Sequence, residues 1–326
     1  MTVINGVEID CIDYKLNHLK LAIINNEPIE DKLHVILVIS NPCLYSRRYI
    51  LLNEFVKRIE NEENNVTLYI VETIYPGQKF IITKNNKNHL QLKTDIPIWC
   101  KENMINLGVQ LLPKNYKAFA WIDADIEFES TTWALDALKV LNGTYDVIQL
   151  FSHCVDMNYD KTTLNIFQSF GYNFIKQKKY GKKGLDYFHP GYAWAITRKA
   201  YEKTGIYDKG ILGSGDSIMA LSFINKVEVM HNIYYHPDYN NSMLEFQEKA
   251  KNIRLGYIPG VIRHHFHGSK QNRQYTERWK ILQKHQYSPS RDLTYENGIL
   301  IPTKNFSKEF QDDILNYFRE RKEDDF

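Results

Sequence analysis

The segment AFAWIDAD, residues 118–125, decides how this chain is expected to fold. Its apolar residues run without interruption and are followed at once by Asp123 and Asp125. A continuous apolar run of strand length is typical of a strand covered on both faces, as in a parallel sheet. In open sheets of this kind, ligands bind at the carboxyl ends of the strands. The segment therefore predicts a buried strand that presents two carboxylates at a ligand-binding edge.

Strand and helix patterns alternate on both sides of this segment. The run HVILVIS is a second continuous apolar stretch, which Asn41 and Pro42 end. Together the patterns predict an α/β fold, a single Rossmann-like domain whose mixed, mostly parallel central sheet is flanked by helices. The predicted strands are 34–40, 66–74, 90–92, 118–122, 147–151 and 192–197, and the predicted helices are 49–59, 99–112, 132–141, 200–204, 216–223 and 307–322.

Three regions are expected along the chain. Residues 1–30 form an N-terminal extension, residues 31–285 the main domain, and residues 286–326 a tail with a peripheral helix. The exposed, lysine-rich stretch within 176–183 is expected to be a loop that orders over a bound ligand.

Composition narrows the possible functions. The chain has 326 residues, 43% of them hydrophobic and 25% charged, a mixture that is typical of a globular protein with a real core. Its 41 basic and 39 acidic residues leave a net charge of +2, which argues against a general nucleic-acid binder. Basic residues nevertheless outnumber acids between residues 251 and 284. This patch favours a small anionic ligand, with a solvated helix face as the alternative.

The sequence also indicates a compartment. Its 4 cysteines show no CxxC spacing, so we expect free thiols in a reducing environment. No apolar run approaches the roughly 20 residues that span a bilayer. The acidic residues near the N-terminus do not resemble a signal peptide. These features predict a cytoplasmic protein without a transmembrane segment.

The two acids of the first segment are candidate metal ligands. Side chains at i and i+2 of an extended segment point to the same side, about 6.6 Å apart. Asp123 and Asp125 so placed can hold Mg²⁺ or Mn²⁺ against a diphosphate. The alternative is a pair of solvated acids in a turn.

The stretch IRHHFHGSK, residues 262–270, carries three histidines. Imidazole is a common ligand of divalent transition metals, while Lys270 and Arg273 suit phosphate. On a strand, His265 and His267 would share a face, whereas on a helical turn His264 and His267 would do so. The spacing leaves the choice of ligand open.

Two glycine-containing stretches complete the set of motifs. In GSGD, residues 213–216, Asp216 is either a helix N-cap or a general base for a hydroxyl. In HPGYAW, residues 189–194, Gly191 could line a pocket. Tyr192 and Trp194 could stack on a sugar or simply pack in the core.

Taken in this order, these blocks resemble the GT-A glycosyltransferases, and especially the β-1,4-galactosyltransferase and polypeptide GalNAc-transferase type. The resemblance runs as scattered blocks from residue 33 to residue 280. Two departures stand out: Ser217 follows Asp216 where the galactosyltransferase type has a second acid, and two extra histidines follow His264. Residues 266–270 are also similar to the His-x-x-Gly-x-x-Lys tail of glycogenin-like enzymes, one residue short. The matching blocks are Asn41 with Arg47 and Arg48, Lys101 to Gly108, Asp123 to Asp125, Gly191 to Ala195, Gly205 to Asp208, Gly213 to Asp216, and Ile262 to His264.

This resemblance implies a metal-dependent glycosyltransferase that moves a sugar from a nucleotide sugar, expected to be a UDP-sugar, to an acceptor hydroxyl. The acceptor would be a glycan, a glycoprotein or a lipid-linked sugar. Asp216 would act as base with inversion at the anomeric carbon, or would bind acceptor with retention. Mn²⁺ or Mg²⁺ would be held by Asp123, Asp125, His264 and His267. Donor contacts are expected from Asn41, Arg47, Glu72 (toward uracil or ribose), Lys101, Asn106, Asp123, Gly191, Lys270 and Arg273.

Two rival interpretations remain open from the sequence. One is a metal-dependent hydrolase of phosphoesters or nucleotides, which would use the same acids and histidines. The other is a carbohydrate-binding relative without catalysis.

Overall fold

The structure, a computed structural model, describes residues 2–4, 7–9, 32–62, 65–179, 187–275 and 277–325. Residues 180–183 of the predicted loop and most of the predicted extension lie outside these ranges. The described strands, in chain order, are β1 (Thr2–Ile4), β2 (Val7–Ile9), β3 (Leu33–Ser40), β4 (Val66–Ile74), β5 (His89–Lys93), β6 (Ala118–Ile122), β7 (Ile126–Phe128), β8 (Val147–Gln149), β9 (His153–Met157), β10 (Thr163–Gln168), β11 (Ala193–Thr197), β12 (Leu255–Tyr257), β13 (Val261–His264), β14 (Leu293–Glu296) and β15 (Ile299–Pro302).

The described α-helices are α1 (Ser46–Glu62), α2 (Lys101–Gly108), α3 (Trp133–Leu141), α4 (Phe170–Ile175), α5 (Arg198–Thr204), α6 (Gly215–Phe223), α7 (Pro237–Ala250), α8 (Arg278–Lys284), α9 (Pro289–Asp292) and α10 (Lys308–Glu320). No helix among the residues described combines the length and the apolar character needed to cross a membrane.

The predicted fold class is confirmed by a central sheet of 7 strands in the order β12-β8-β11-β6-β3-β4-β5. Its pairs are parallel except where β11 runs antiparallel to both β6 and β8. The carboxyl ends of β3, β6 and β8 and the start of β11 therefore meet at one edge. The segment 118–125 brings its two acids to this edge, because all residues of β6 are buried in the sheet and Asp123 follows the strand directly.

Both faces of the sheet are covered. Along β3, Ile36 packs into one apolar cluster, while Val35 and Leu37 pack into another. The first cluster includes side chains of α2, α6, α7 and α10, and the second includes side chains of α1 and α3. This burial on two faces explains why the strand reads as a continuous apolar run instead of alternating.

A second sheet, of 4 strands in the order β10-β9-β13-β7, was not expected from the sequence. Its strand β13 lies parallel to β9 and antiparallel to β7, so that His264 pairs in register with both Asp156 and Ile126. The amide of His265 also donates to the carbonyl of Asp125 over 2.7 Å. These pairings fasten the histidine stretch directly to the acids that follow β6.

The predicted C-terminal helix is α10, and one side of it packs into the main core. The apolar side of α10, formed by Phe310, Ile314 and Tyr317, is almost fully buried in the same core as α2 and α6. The Tyr45 hydroxyl donates to the carbonyl oxygens of Phe318 and Arg319 over 2.8 and 2.7 Å. The acidic residues of the tail suggested a solvated helix, but its apolar residues form a stripe along one side, and such a stripe packs against a core.

Candidate active site

A cavity of about 700 Å³ opens at the carboxyl edge of the central sheet. This volume lies within the range of small-molecule and cofactor sites. The cavity collects residues from distant parts of the chain, because strand ends, the start of α6 and the loop after β13 converge there. Its walls include the predicted site residues Asn41, Lys101, Asp123, Asp125, Gly191, Asp216, His264, His267, Lys270 and Arg273.

Three of these residues form a compact cluster of metal-ligand type. The ligand atoms of Asp125, His264 and His267 lie within 4.8 Å of one another. Asp125 Oδ2 is 2.7 Å from His267 Nε2 and 3.7 Å from His264 Nε2. The two Nε2 atoms are 3.3 Å apart. A carboxylate and two imidazoles whose Nε2 atoms converge constitute, when both rings are neutral, a donor set for a divalent transition metal.

The state of Asp125 fits a cation at this cluster. Its Oδ1 atom is buried and has no hydrogen-bond partner among the described residues. Burial acts to raise the pKa of Asp125, but His267 and His264 outweigh it and hold that pKa well below its usual value. The site therefore contains an ionised, buried carboxylate with an unused oxygen. Two nitrogen donors favour Mn²⁺ over Mg²⁺, which prefers an all-oxygen shell.

His264 is oriented by a carboxylate that the sequence did not suggest. Its Nδ1 atom lies 2.7 Å from Oδ1 of Asp156, on the neighbouring strand β9. An Nδ1–H donated to this oxygen leaves the Nε2 lone pair for the cluster. Burial acts to raise the pKa of Asp156, but the bond to His264 and the ammonium of Lys270 lower it to about 2. Asp156 therefore stays charged and orients the ring.

The three histidines of residues 264–267 do not all lie at the cluster. His265 points away from the cluster, and its Nε2 lies 3.2 Å from Oε2 of Glu127. His264 ends the strand β13, and the following loop returns His267 to its side. Nη2 of Arg273 lies 2.8 Å from Nε2 of His267.

Asp123 lies apart from the metal-type cluster. Its Oδ1 is 2.7 Å from Nζ of Lys101, which also lies 3.4 Å from Oδ2 of Asp216. Burial acts to lower the pKa of Lys101, but the charges of Asp123 and Asp216 reverse that and raise it. Burial raises the pKa of Asp123 to about 6 despite the ammonium beside it. Lys101 therefore links the acid after β6 to the acid on α6.

Asp216 is not the N-cap of its helix. The cap position of α6 is occupied by Ser214, at a φ of 79°, and Asp216 lies within the first turn. Its Oδ1 is buried without a hydrogen-bond partner among the described residues. The carboxylate therefore lies in the cavity wall with one oxygen unused.

Glu102 is a site residue that sequence reasoning missed. It lines the cavity at the start of α2, and only 3% of it is exposed. A Cβ added at Gly215 would lie 2.3 Å from its carboxylate, so the glycine makes room for the acid. Burial and the charge of Asp216 raise the pKa of Glu102 to about 8. A second carboxyl group thus stands beside Asp216, contributed by another helix, although Ser217 follows Asp216 in the sequence.

The C-terminal segment closes one side of the cavity. Glu323 is 1% exposed and accepts from both Arg48 and Arg321, at 2.8 and 2.6 Å. The Arg321 guanidinium lies over the ring of Trp99, 5.3 Å from its centroid. Nothing local in the sequence links Arg48 and Trp99 to this segment, since each lies more than two hundred residues from it.

Three predicted donor-binding residues lie outside the cavity walls formed by the described residues, and each makes other contacts. Glu72 accepts from the amides of Ile81 and Ile82, at 2.9 and 3.1 Å. Asn106 holds the backbone of Ile206 through both ends of its amide. Arg47 donates from Nε to the carbonyl of Phe266 over 2.9 Å, which supports the histidine loop.

Comparison with known proteins gives only distant similarities. No protein-family model and no curated protein sequence matches the chain. A mannosyltransferase from Pyrobaculum calidifontis, solved with GDP-Man and Mn²⁺, is 12% identical with a TM-score of 0.42, over 93% of this chain and 76% of that one. A Drosophila β-1,4-galactosyltransferase 7 variant with manganese, UDP-Gal and xylobiose is 8% identical with a TM-score of 0.38, over 83% and 91%.

A third solved structure is of a different class. The inositol-1-phosphate CTP transferase of T. maritima is 9% identical with a TM-score of 0.33, over 72% of this chain and 89% of that one. Similarities of this size establish no family. The residues and contacts of the cavity itself must therefore carry any functional conclusion.

Proposed function

We propose that this chain is a metal-dependent glycosyltransferase of GT-A type, which transfers a sugar from a UDP-sugar to an acceptor hydroxyl. One observation carries the proposal. A metal-type cluster, a buried carboxylate with an unused oxygen and the cationic side chains of Lys270 and Arg273 line one cavity at the carboxyl edge of a mostly parallel sheet.

The diphosphate end of the donor belongs at the histidine loop. Asp125, His264 and His267 would hold a divalent ion there, which supplies charge neutralisation to the diphosphate when bound. Arg273 is only 8% exposed and offers an Nε–H with no partner among the described residues. Lys270 lines the same wall. These cations stabilise the negative charge that the leaving nucleotide gains.

The acceptor end belongs at Asp216. Lys101 engages Oδ2 of Asp216 over 3.4 Å, which leaves Oδ1 for the acceptor hydroxyl. In the proposed step the hydroxyl oxygen bonds to the anomeric carbon and its proton passes to Oδ1 of Asp216. The bond from that carbon to the diphosphate oxygen breaks, and its electron pair leaves with the nucleotide. Attack opposite the leaving group inverts the anomeric carbon.

The sequence predicts Asp123 as both a metal and a donor contact. Its ion pair with Lys101 supports the second role, because that lysine reaches from Asp123 toward Asp216. We propose that the pair positions the transferred sugar between the two acids.

The test is calorimetric titration of UDP, and of GDP for comparison, with and without Mn²⁺, into wild type and Asp125→Ala. Glu129→Ala serves as the matched control, because Glu129 pairs with Arg263 outside the cavity. We expect tight UDP binding that needs Mn²⁺ and is lost in Asp125→Ala only. Absence of UDP binding under both conditions would overturn the UDP assignment.

A turnover assay then separates transferase from hydrolase. Sugar released from a nucleotide sugar at the same rate with and without a panel of acceptors would favour the hydrolase. A rate that depends on acceptor, and that Asp216→Asn abolishes, would support transfer.

A further inference from the structure

Two arginines in the cavity wall are buried and form no ion pair with a carboxylate among the described residues. Arg273 and Arg278 are each 8% exposed. By contrast, Arg48 and Arg321, on the same wall, share the carboxylate of Glu323. Buried guanidinium groups are normally paired with an anion, because an uncompensated buried charge is costly. Arg273 contacts His267 of the metal-type cluster, where the proposed diphosphate would bind, whereas Arg278 contacts Ser214 at the start of α6.

Arg278 contacts the segment just before the proposed base, at the start of α6. Its guanidinium donates to the hydroxyls of Ser214 and Tyr317, both over 3.2 Å. A Cβ at Gly213 would be 3.2 Å from its Nη1, so this arginine rests on the backbone two to three residues before Asp216. Its partners among the described residues are neutral, and its Nε–H has none.

Two further buried donors without a partner line the same cavity, besides the unused oxygen of Asp216. Trp99 and Trp279 line the same cavity, and the indole N–H of each is buried without a partner among the described residues. Arg278 also lies over the ring of Tyr275, 5.2 Å from its centroid. The start of α6, a helix of 9 residues, adds its positive end close by. A wall of unused donors and aromatic rings matches a sugar that carries an acceptor-only, negatively charged group.

We propose that Arg278 binds a carboxylate or phosphate group carried by one of the two sugars at this site, so that the enzyme acts on an acidic sugar. This inference rests on the proposed glycosyl transfer and names its substrate class. The same group could belong to the transferred sugar or to the acceptor, since both meet near Asp216.

The first experiment needs no nucleotide. Binding of methyl β-D-glucuronide and of glucose 6-phosphate is compared with binding of the neutral methyl β-D-glucoside by NMR titration of the full chain. Wild type is expected to prefer at least one acidic probe by about tenfold, since a charge-assisted hydrogen bond contributes about that much. Equal affinities for acidic and neutral probes in wild type would overturn the proposal.

The variants assign the preference to one side chain. Arg278→Gln is expected to bring the acidic-to-neutral ratio close to one, and Arg278→Lys to keep part of it, because lysine retains the charge but loses the planar fork. Arg198→Gln removes a surface charge that pairs with Glu202 and is expected to leave the ratio unchanged. A ratio that is unchanged in Arg278→Lys and in Arg278→Gln would refute the assignment. If the glutamine variant does not fold, the lysine variant decides.

The second experiment locates the acidic group. UDP-glucuronate and UDP-glucose are titrated in the presence of Mn²⁺ into wild type and Arg278→Lys. A preference for the glucuronate that weakens in the variant places the group on the donor sugar. A preference seen only for free acidic sugars, added at saturating UDP, places it on the acceptor. If no nucleotide binds, the proposed function fails, while the probe ratios still decide the role of Arg278.

Discussion

Removal of the charge of Asp156 is the perturbation that best tests the proposed metal centre. Asp156 is 2% exposed, and its Oδ1 lies 2.7 Å from Nδ1 of His264. It touches the ring on the side opposite to the cluster, so it orients a ligand without being one. Carboxylates in this position typically contribute 10- to 100-fold, on the order of 1.4–2.7 kcal/mol, to metal affinity.

Two substitutions of Asp156 are expected to weaken Mn²⁺ binding to different degrees. Asp156→Asn keeps an oxygen that can accept from Nδ1–H but loses the charge, so we expect Mn²⁺ to bind about tenfold more weakly. Asp156→Ala also removes the acceptor and leaves a buried ring without its partner, so we expect a loss of about 100-fold. Isothermal titration of Mn²⁺ measures both. At saturating metal the stabilisation of the fold by Mn²⁺ should fall by about 1.4 and about 2.7 kcal/mol, in the same order.

Asp160→Asn is the matched control. Asp160 lies on the exposed turn between β9 and β10, where it accepts from the hydroxyl and amide of Thr162. The Asp160→Asn substitution removes one negative charge from the same hairpin as Asp156→Asn does but leaves His264 untouched, so the affinity for Mn²⁺ should not change. Wild-type affinity in Asp156→Asn and Asp156→Ala would refute the reasoning. An equal loss in the control would show that only the net charge of the hairpin matters.

Three further outcomes are expected. Asp216→Asn should lower kcat by about 10²- to 10⁴-fold, because an amide cannot take the acceptor's proton, while Mn²⁺ and UDP affinities measured by titration stay at wild-type values. Unchanged turnover would remove Asp216 from the proposed chemistry. Glu102→Gln should abolish the pH dependence of stability that this carboxyl group causes. The pKa of Glu102 is 4.5 in the unfolded state and about 8 in the folded state, so between these values only the folded protein keeps the proton. The free energy of unfolding of wild type therefore falls as pH rises. Urea unfolding of both proteins from pH 5 to pH 8 checks this, and parallel curves would contradict the raised pKa. Phe310→Ala should destabilise the fold by about 3–5 kcal/mol in the same assay, since Phe310 is 2% exposed in the main core, and a loss typical of a surface position would contradict the docking of α10.

Much of the fold could be predicted from local sequence. The apolar runs that became β3, β4 and β6 are long enough to identify strands buried on two faces, and the acids after β6 follow at the edge where ligands bind. The strands β7, β9, β10 and β13 were not predicted, because their 3 to 6 residues mix polar with apolar side chains and form no continuous apolar run. Of the cysteines, Cys100 and Cys154 are buried free thiols and Cys43 is a partly buried one, as expected, while Cys11 lies outside the described residues.

The sequence by itself determined the class of the fold, the edge of the sheet that carries the site, and the kinds of side chain available there. The tertiary structure decided which of them meet. It selected His264 and His267 over His265 through the register of β13 against β9, and it separated Asp123 from Asp125 through the ion pair with Lys101.

The same holds for the residues that only the fold revealed. Glu102 and Arg278 line the cavity, while Asp156 and Glu323 bind side chains that line it, and the four residues come from elements far apart in the chain. The physical reason is that spacing along a strand or helix constrains only near neighbours, whereas side chains a hundred residues apart are brought together by packing. Burial then changes the properties of these side chains: it raises the pKa of Glu102, and it leaves the Nε–H of Arg278 without a partner among the described residues, available to a ligand.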